Sequence, residues 1–462
     1  MARTEVQDVL QGERTIDGST LQDELETVDT TLDAFRTVDI PDGDLNGLPV
    51  SAKENICVDG FPATAGSKIL DGYDPGFDAT AVKRLRDKAT MIGKTNQDEF
   101  GFGTFSTYSA YEIPKNPYDT DRSAGGSSGG AAAITAALDT PHVALGESTG
   151  GSISCPSAFC GAVGLTPTYG RVSRYGLIDY ANSLDKIGPI AQSVHDAASV
   201  LELIAGKDER DFTTADRTVP PFSEATVDLD EIHIGVPEEY IDFEGVDDRV
   251  RDKVWSAIKA LEDRGATYEK VSLPKIAKDY ALPSYYITAV SEASTNLARY
   301  AGMRYGLEED PSHQGFDEYF SDIRTEGFGM EAKRRILLGH FARQAGYREA
   351  YYIQALKVRQ LVIDEFKRGF KNFDVLAAPT MPIPAPRFDA VEDLAPTEIY
   401  AMDTLTVGPN LAGMPQLSLP VDTVEDMPIG LHLLADHFDE ETLIGVGKAY
   451  EDQIGFIESP SL

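Results

Sequence analysis

Short apolar segments alternate with helical segments along much of the chain, and this alternation limits the possible folds more than any other feature. "GLPVSAKENI" (47–56) has the pattern of a short strand that runs into a turn. "TAVKRLRDKATMIGKTN" (80–96) then combines a helical pattern with a strand and a loop. Strand, helix and strand in succession favour a partly parallel sheet. The sequence therefore predicts an α/β fold.

Later segments extend this pattern. "DDRVRDKVWSAIKALEDRG" (247–265) predicts a helix, with Asp247 as the candidate N-cap and Gly265 as the candidate C-cap. Residues 284–372 are mostly helical in pattern. "GGSSGGAAAITAAL" predicts another helix, and the predicted strands are "HVALG", "IHIGVP", "ATYEKVSL", "FDVLAAPTMP", "PQLSLPV" and "PIGLHLLAD".

Residues 1–45 form a separate N-terminal stretch with a helical pattern. Its apolar residues recur at steps of three and four, so we expect one helical face to lie on the core. A polar stretch at 207–222 predicts a surface loop or a seam between subdomains. The apolar residues of that N-terminal face are Leu21, Leu25, Val28, Leu32 and Phe35.

The charge of the chain is unusual. It has 76 Asp and Glu against 41 Lys and Arg, a formal net charge of −35. Near 1 M salt the Debye length falls to roughly 3 Å, which screens the self-repulsion of such a surface. We therefore expect a halophilic protein; the alternative is an acidic protein from a low-salt cytosol. Either way, the charge disfavours nucleic-acid binding by this chain alone, because that affinity comes largely from Lys and Arg.

Targeting features and cysteines place further limits on the protein. The first residues lack the pattern of a secretory signal, and no apolar run approaches the roughly 18 residues of a spanning helix. We expect a cytoplasmic protein. Cys57, Cys155 and Cys160 are too few for a disulfide framework and lack metal-ligand spacing, so we expect them to be reduced and packed.

Small residues surround one serine in "GESTGGSISCPSAFCGAVGL" (146–165). A serine hydroxyl is a weak nucleophile unless a base takes its proton and fixed donors stabilise the oxyanion. Gly150 and Gly151 would let consecutive backbone N–H groups converge beside Ser152. The segment therefore fits a nucleophile with its oxyanion hole, and a tight turn without a catalytic role is the alternative.

Two further features have several interpretations each. "GGSSGG" (125–130) fits a flexible linker, a phosphate loop or a rigid loop that holds a hydroxyl. Lys53 lies between the apolar "GLPVSA" and "ENICVDGFP", so it is either a solvated charge or a buried amine. Burial disfavours the charged form, and a buried lysine can serve as a neutral base. None of the seven histidines lies in these segments, which favours a lysine-based arrangement.

Taken together, Lys53, "GGSSGGAAA" and "GESTGGSISCPSAFCGAVGLTPTYGRVSR" strongly resemble the amidase signature family, over about residues 46–455. The resemblance implies a Ser–cisSer–Lys triad in which Ser152 is the nucleophile, Ser127 the cis serine and Lys53 the base. The adjacent Ser128 stays open as the cis serine and is otherwise expected at the substrate. The implied oxyanion hole consists of the backbone amides of Thr149, Gly150 and Gly151.

The resemblance also implies an amidase-signature fold, with one large mixed β-sheet flanked by helices and a mainly helical insertion. We expect an N-terminal helical arm at 1–45 and an amidase domain at 46–455. Its core would span about 46–205 and 373–455, with a helix-rich subregion at about 240–372.

Other segments, such as "EGFGMEAKRRILLGHFARQAGYREAYYIQALKVR" and "NLAGMPQLSLP", are similar to the glutaminase-subunit branch of that family. The branch implies glutamine as substrate, with Arg335 binding its α-carboxylate and Asp403 its α-ammonium. It implies no cofactor in this subunit. Two other subunits are expected: a kinase and tRNA-binding subunit, which would use ATP and Mg²⁺ on Glu-tRNA(Gln) or Asp-tRNA(Asn), and a small bridging subunit.

The sequence departs from the family pattern at two positions near the triad. The family usually has Asp where this chain has Glu54, and commonly Arg where this chain has Ser154. A stand-alone amidase for small amides and a catalytically silent scaffold subunit therefore remain as alternatives to a glutaminase subunit.

Overall fold

The computed structural model describes residues 6–309 and 315–460, and one large mixed sheet forms its centre. The strands are β1 (Phe35–Val38), β2 (Leu48–Lys53), β3 (Ala89–Thr95), β4 (Val143–Ser148), β5 (Val163–Thr166), β6 (Lys186–Ala191), β7 (His233–Pro237), β8 (Thr267–Val271), β9 (Val375–Pro379), β10 (Gln416–Val424) and β11 (Met427–Leu434). They lie in the order β1-β3-β2-β4-β6-β5-β10-β11-β9-β7-β8.

The strand directions confirm the predicted partly parallel sheet. β2 is parallel to both β3 and β4, and β7 is parallel to both β8 and β9. The other pairs in the described sheet are antiparallel. The fold is therefore α/β with one large mixed sheet, as the resemblance implied.

Helices flank this sheet. The α-helices are α1 (Val6–Leu10), α2 (Gly18–Leu32), α3 (Thr80–Leu85), α4 (Gly129–Ala137), α5 (Ser154–Cys160), α6 (Val194–Ile204), α7 (Glu238–Ile241), α8 (Asp248–Glu262), α9 (Lys278–Asn296), α10 (Phe316–Gly327), α11 (Met330–Arg343), α12 (Tyr352–Gly369), α13 (Phe388–Glu392), α14 (Pro396–Ala401), α15 (Thr404–Ala412) and α16 (Glu440–Gln453). Short 3-10 helices lie at Lys68–Leu70, Glu99–Gly101, Phe222–Glu224, Leu229–Glu231, Pro274–Ile276 and Leu297–Arg299.

Two strand ends and two helix starts meet at one edge of the sheet. β2 and β4 are parallel neighbours, with Ala52 paired to Leu145, so their carboxyl ends lie side by side. β2 ends at Lys53, and β4 ends four residues before Ser152. α5 begins directly after the Ser152 turn, and α4 begins directly after "GGSS". The sheet therefore brings together the three sequence features that resemble the family.

The N-terminal stretch is not only helical. The expected apolar face of α2 is buried, but residues 35–38 form β1, which pairs antiparallel with β3. The boundary at residue 45 therefore cuts between strands of one sheet, and the division into arm and domain stays a prediction.

Most other predicted elements are confirmed, and the exceptions are short. The described part of 284–372 is mainly helical; residues 310–314 of that segment lie outside the described residues. Asp247 caps α8 by accepting a hydrogen bond from Arg249 N, but the C-cap is Asp263 rather than Gly265. β5 and β6 were not predicted, because "VGLT" is short and "KIGPIA" contains the turn-forming residues Gly and Pro.

All three cysteines are free and buried, as expected. No helix among residues 6–309 and 315–460 is long and apolar enough to span a bilayer.

Candidate active site

Lys53 is a buried amine that contacts Ser127. Its side chain is fully buried at the end of β2, and Nζ donates a 2.7 Å hydrogen bond to Ser127 Oγ. The Gly126–Ser127 peptide bond is cis, the geometry that the resemblance implied for this serine. Of the alternatives for "GGSSGG", the structure therefore matches the rigid loop that holds a hydroxyl.

Ser152 lies on the wall of a small cavity next to this pair. It is 7% exposed. The backbone N–H of Ser128 donates to the Ser152 carbonyl oxygen at 3.2 Å, which ties the two loops together. No hydrogen bond joins the Ser127 and Ser152 hydroxyls among the described residues. Such contacts commonly tighten only when substrate is bound.

Neighbouring side chains leave no room for a Cβ at the two glycines before Ser152. A Cβ on Gly150 would lie 2.3 Å from Tyr285 Oη. A Cβ on Gly151, whose φ is +143°, would lie 2.3 Å from Thr406 Oγ1. Both glycines line the cavity. Close packing therefore requires glycine at both positions.

The backbone amides of these glycines differ. The Gly151 N–H donates to Ser148 Oγ at 3.2 Å, whereas the Gly150 N–H makes no hydrogen bond within the described residues. The free amide of Gly150 is therefore available to a developing oxyanion in the cavity.

Arg335 reaches the cavity from α11 with its guanidinium inside a cluster of aromatic rings. It is 4% exposed, and Nε donates to Glu331 Oε1 at 2.7 Å while Nη1 donates to Tyr180 Oη at 2.5 Å. These bonds leave further N–H groups of its planar fork for a ligand. The surrounding rings are Phe102, Tyr180, Tyr286 and Tyr400, with centroids 5.1–5.6 Å from the Arg335 Cζ.

Asp403 lines the same cavity. It accepts hydrogen bonds from Thr104 Oγ1 at 2.9 Å and from Tyr286 Oη at 2.5 Å. Burial raises the pKa of Asp403 to about 6, and the bonds from Tyr286 and Thr104 oppose this rise. The cavity thus offers one cation and one anion beside Ser152.

Two predicted site residues point elsewhere. The Ser128 hydroxyl donates to the Glu147 carbonyl oxygen at 3.1 Å, and Ser128 is absent from the cavity lining. Thr149 Oγ1 lies 2.7 Å from Glu147 Oε1 and 2.8 Å from Asp185 Oδ1, and Thr149 is likewise not in the lining. The structure thus brings neither side chain to the cavity; the expected oxyanion-hole contact of Thr149 through its backbone amide stays a prediction.

The two departures from the family pattern also lie outside the cavity lining. The buried carboxylate of Glu54 accepts hydrogen bonds from the hydroxyl and the backbone N–H of Thr64. Ser154 is buried at the start of α5, and its hydroxyl has no partner among the described residues. Neither residue contacts Lys53 or Ser127 through a hydrogen bond within that part of the chain.

Sequence reasoning missed several polar groups of the site. Tyr285 and Tyr286 lie in a segment predicted only as helical, and nothing in their local pattern distinguishes them from core residues. Glu147 was more accessible to prediction. It directly follows the apolar strand pattern "HVALG", where a carboxylate is unusual unless it has a buried partner.

Comparison with known proteins agrees with the site geometry. The sequence model of the family described as Amidase matches residues 19–444. The chain belongs to the amidase family.

Two amidase relatives are named as the A-subunit of glutamyl-tRNA(Gln) amidotransferase. The protein from Methanococcoides burtonii is 47% identical over 440 residues, which cover 94% of this chain and 91% of that protein. The protein from Natronomonas pharaonis, a halophile, is 48% identical over 416 residues, covering 88% of this chain and 96% of that protein.

A solved amidase-family structure agrees with the fold along the whole chain. The crystal structure of the glutamyl-tRNA(Gln) amidotransferase A-subunit from Thermotoga maritima has a TM-score of 0.85 and 34% identity. The match covers 99% of this chain and 98% of that chain.

Proposed function

We propose that this chain is the glutaminase subunit of a tRNA-dependent amidotransferase, and that it hydrolyses glutamine through an acyl-enzyme on Ser152. The observation that carries the proposal is the Lys53–Ser127 hydrogen bond beside a cavity lined by Ser152, Arg335 and Asp403. The relatives named for this amidotransferase, which match nearly the whole chain, support the same assignment.

The two charges in the cavity fit a free amino acid. A zwitterion needs a cation for its carboxylate and an anion for its ammonium. Arg335 supplies planar N–H donors for the α-carboxylate, and ionised Asp403 accepts from the α-ammonium. The side-chain amide of glutamine then extends toward Ser152, whereas a small amide without these charges would bind to neither group. These charges favour a glutaminase over a stand-alone amidase for small neutral amides.

The buried groups provide the proton path for amide cleavage. Ser152 Oγ attacks the amide carbon while its proton passes to Ser127 and the Ser127 proton passes to neutral Lys53. The Gly150 amide stabilises the oxyanion, and Lys53 returns the proton through Ser127 to the leaving ammonia. Water then attacks the acyl-enzyme while its proton passes through Ser127 to Lys53, and this proton returns to Ser152 Oγ as glutamate is released. The Lys53–Ser127 contact supports this active role over that of a silent scaffold.

The ammonia is used by another subunit in this proposal. A kinase and tRNA-binding subunit, together with a small bridging subunit, would convert Glu-tRNA(Gln) or Asp-tRNA(Asn) with ATP and Mg²⁺. The net charge of −35 fits this division, because the tRNA contacts then fall mainly to the partner. We place the assembly in a high-salt cytoplasm, where this charge is screened.

The test is the release of ammonia and glutamate from L-glutamine in multimolar salt, by the chain alone and with its candidate partner subunits. Activity that rises with partners and vanishes in Ser152→Ala supports the proposal. Equal activity on simple amides without partners supports a stand-alone amidase, and silence of an intact assembly supports a scaffold.

A further inference from the structure

A buried carboxylate also contacts the proposed base. Glu147 lies in β4 and is 1% exposed. Its Oε2 accepts hydrogen bonds from Lys53 Nζ at 2.9 Å and from Asn55 Nδ2 at 3.2 Å. Its backbone carbonyl oxygen accepts a further bond from Lys53 Nζ at 3.0 Å. Glu147 therefore offers two acceptors to the amine. In its neutral form the amine has two N–H groups for these acceptors, and its lone pair then faces Ser127 Oγ.

The other carboxylate oxygen of Glu147 belongs to a hydrogen-bond network with Thr149 and Asp185. Thr149 Oγ1 lies 2.7 Å from Glu147 Oε1 and 2.8 Å from Asp185 Oδ1. The second Asp185 oxygen accepts from the backbone N–H groups of Tyr180 and Ala181, both at 2.9 Å. The side chains of Glu147, Thr149 and Asp185 thus form one hydrogen-bond network near the end of β4 and the start of β6.

The number of protons in this hydrogen-bond network determines which of its two carboxyl groups is charged. The Thr149 hydroxyl has one proton but faces two carboxyl groups, so one of these groups must carry a proton of its own. Burial, and then the nearby Glu147, raise the pKa of Asp185 well above its usual range. A protonated Asp185 donates to Thr149 Oγ1, which donates to Glu147. Glu147 then carries the charge beside Lys53.

We propose that Glu147 is a positioning residue for Lys53, which holds Nζ at Ser127 and stabilises the ammonium formed when Lys53 takes up the proton from Ser152. This inference rests on the glutaminase function proposed above. The proton leaves Ser152 Oγ, passes through the Ser127 hydroxyl and ends on Lys53 Nζ; Glu147 stays ionised throughout. Because the pair is fully buried, even multimolar salt screens it only weakly.

Other charged groups interact electrostatically with Lys53, Glu147 or Asp185, and the variants described below do not change them. Asp98 is buried within electrostatic range of Lys53. Lys186, on the neighbouring strand β6, lies within range of both Glu147 and Asp185. Asp179 also acts on Glu147 and Asp185, and Arg174 acts on Asp185; Asp179 is itself paired with Arg174 and Arg299.

The test compares Glu147→Gln with wild-type protein in glutamine hydrolysis across pH, with partner subunits and multimolar salt. The carboxylate favours the protonated amine, so its removal should move the acidic limb of the kcat profile about one pH unit lower. The kcat profile is used because the kcat/KM profile also contains the ionisation of Asp403. We expect kcat at the plateau to fall about 10²-fold, the loss typical when one group facing developing charge is removed. KM for glutamine should change little, since Glu147 does not line the cavity.

Two variants separate this role from a merely structural one. Glu54→Gln is the matched control, because Glu54 is an equally buried carboxylate next to Lys53 in sequence but bonds to Thr64; its acidic limb should stay at the wild-type position. Glu147→Asp keeps the charge, so its limb should also stay there while kcat falls. If Glu147→Gln does not fold, Thr149→Val provides the second test. It removes the hydroxyl that donates to Glu147, and kcat should fall about tenfold.

The outcomes distinguish the two proposals. An active wild-type protein whose acidic limb and kcat are unchanged in Glu147→Gln overturns the role of Glu147 alone, as does an unchanged kcat in Thr149→Val. An inactive wild-type assembly overturns the glutaminase function and, with it, this inference.

Discussion

Replacing Gly150 with alanine tests the geometry of the site through a single methyl group. The new Cβ would lie 2.3 Å from Tyr285 Oη and 2.4 Å from Tyr285 Cζ. Carbon contacts are favourable near 3.5–4.0 Å, so the loop or the ring must move by about 1 Å. Tyr285 is only 4% exposed and packs edge-on against Tyr286, and it therefore has little room to retreat.

The expected cost follows from this displacement. Overpacking of this kind destabilises a fold by about 1–3 kcal/mol. A shift of about 1 Å in the amide next to Ser152 should lower kcat about 10²-fold, because reacting groups tolerate little misplacement. Thermal unfolding and the kinetics of ammonia release measure the two effects separately. Gly315→Ala is the control, since Gly315 has an ordinary φ of −71° and none of the described residues has an atom within 4 Å of its added Cβ.

A double-mutant cycle with Tyr285→Ala identifies the cause of the loss. If the clash with the ring is responsible, Gly150→Ala should cost much less stability in the Tyr285→Ala background. An equal cost in both backgrounds would refute the steric explanation.

The remaining predictions concern the charged and nucleophilic groups. Ser152→Ala should abolish hydrolysis without changing the melting temperature. Lys53→Ala should lower activity about as severely, because the base and the relay serine act as a unit. Turnover at the wild-type rate in either variant would contradict the role of that residue. Arg335→Lys should raise KM for glutamine about tenfold or more by losing the planar fork, which saturation kinetics would show. Because burial raises the pKa of Asp403 to about 6 and only its ionised form attracts an ammonium, KM should rise as the pH falls below about 6. In Asp403→Asn, KM should be high at every pH, and a wild-type pH profile in that variant would exclude this binding role.

Local sequence pattern was sufficient for much of the fold but did not predict the strands β1, β5 and β6. Lys53 was predicted near the end of a strand and lies at the end of β2, because a short apolar run followed by a turn pattern indicates where a strand ends. β1 was missed because its four residues follow a strong helical pattern. The segment becomes a strand by pairing with β3, and that long-range contact is invisible in a local window.

In the candidate site, too, local features could be predicted from the sequence and long-range contacts could not. The family resemblance depends on two short segments and Lys53, and the order of these features along the chain was sufficient to recognise it. The contacts that tune them are distant in sequence. Glu147 lies 94 positions from Lys53, and Tyr286 lies 117 positions from Asp403. Such pairs depend on strand order and helix placement, which single-sequence patterns do not specify.

The most direct test of the proposed mechanism is interception of the acyl-enzyme by hydroxylamine during glutamine hydrolysis. A γ-glutamyl ester on Ser152 should partition between water and hydroxylamine, so γ-glutamyl hydroxamate forms as ammonia is released, and Ser152→Ala yields neither product. Ammonia release without any hydroxamate, or hydroxamate formation that persists in Ser152→Ala, would contradict a mechanism through Ser152.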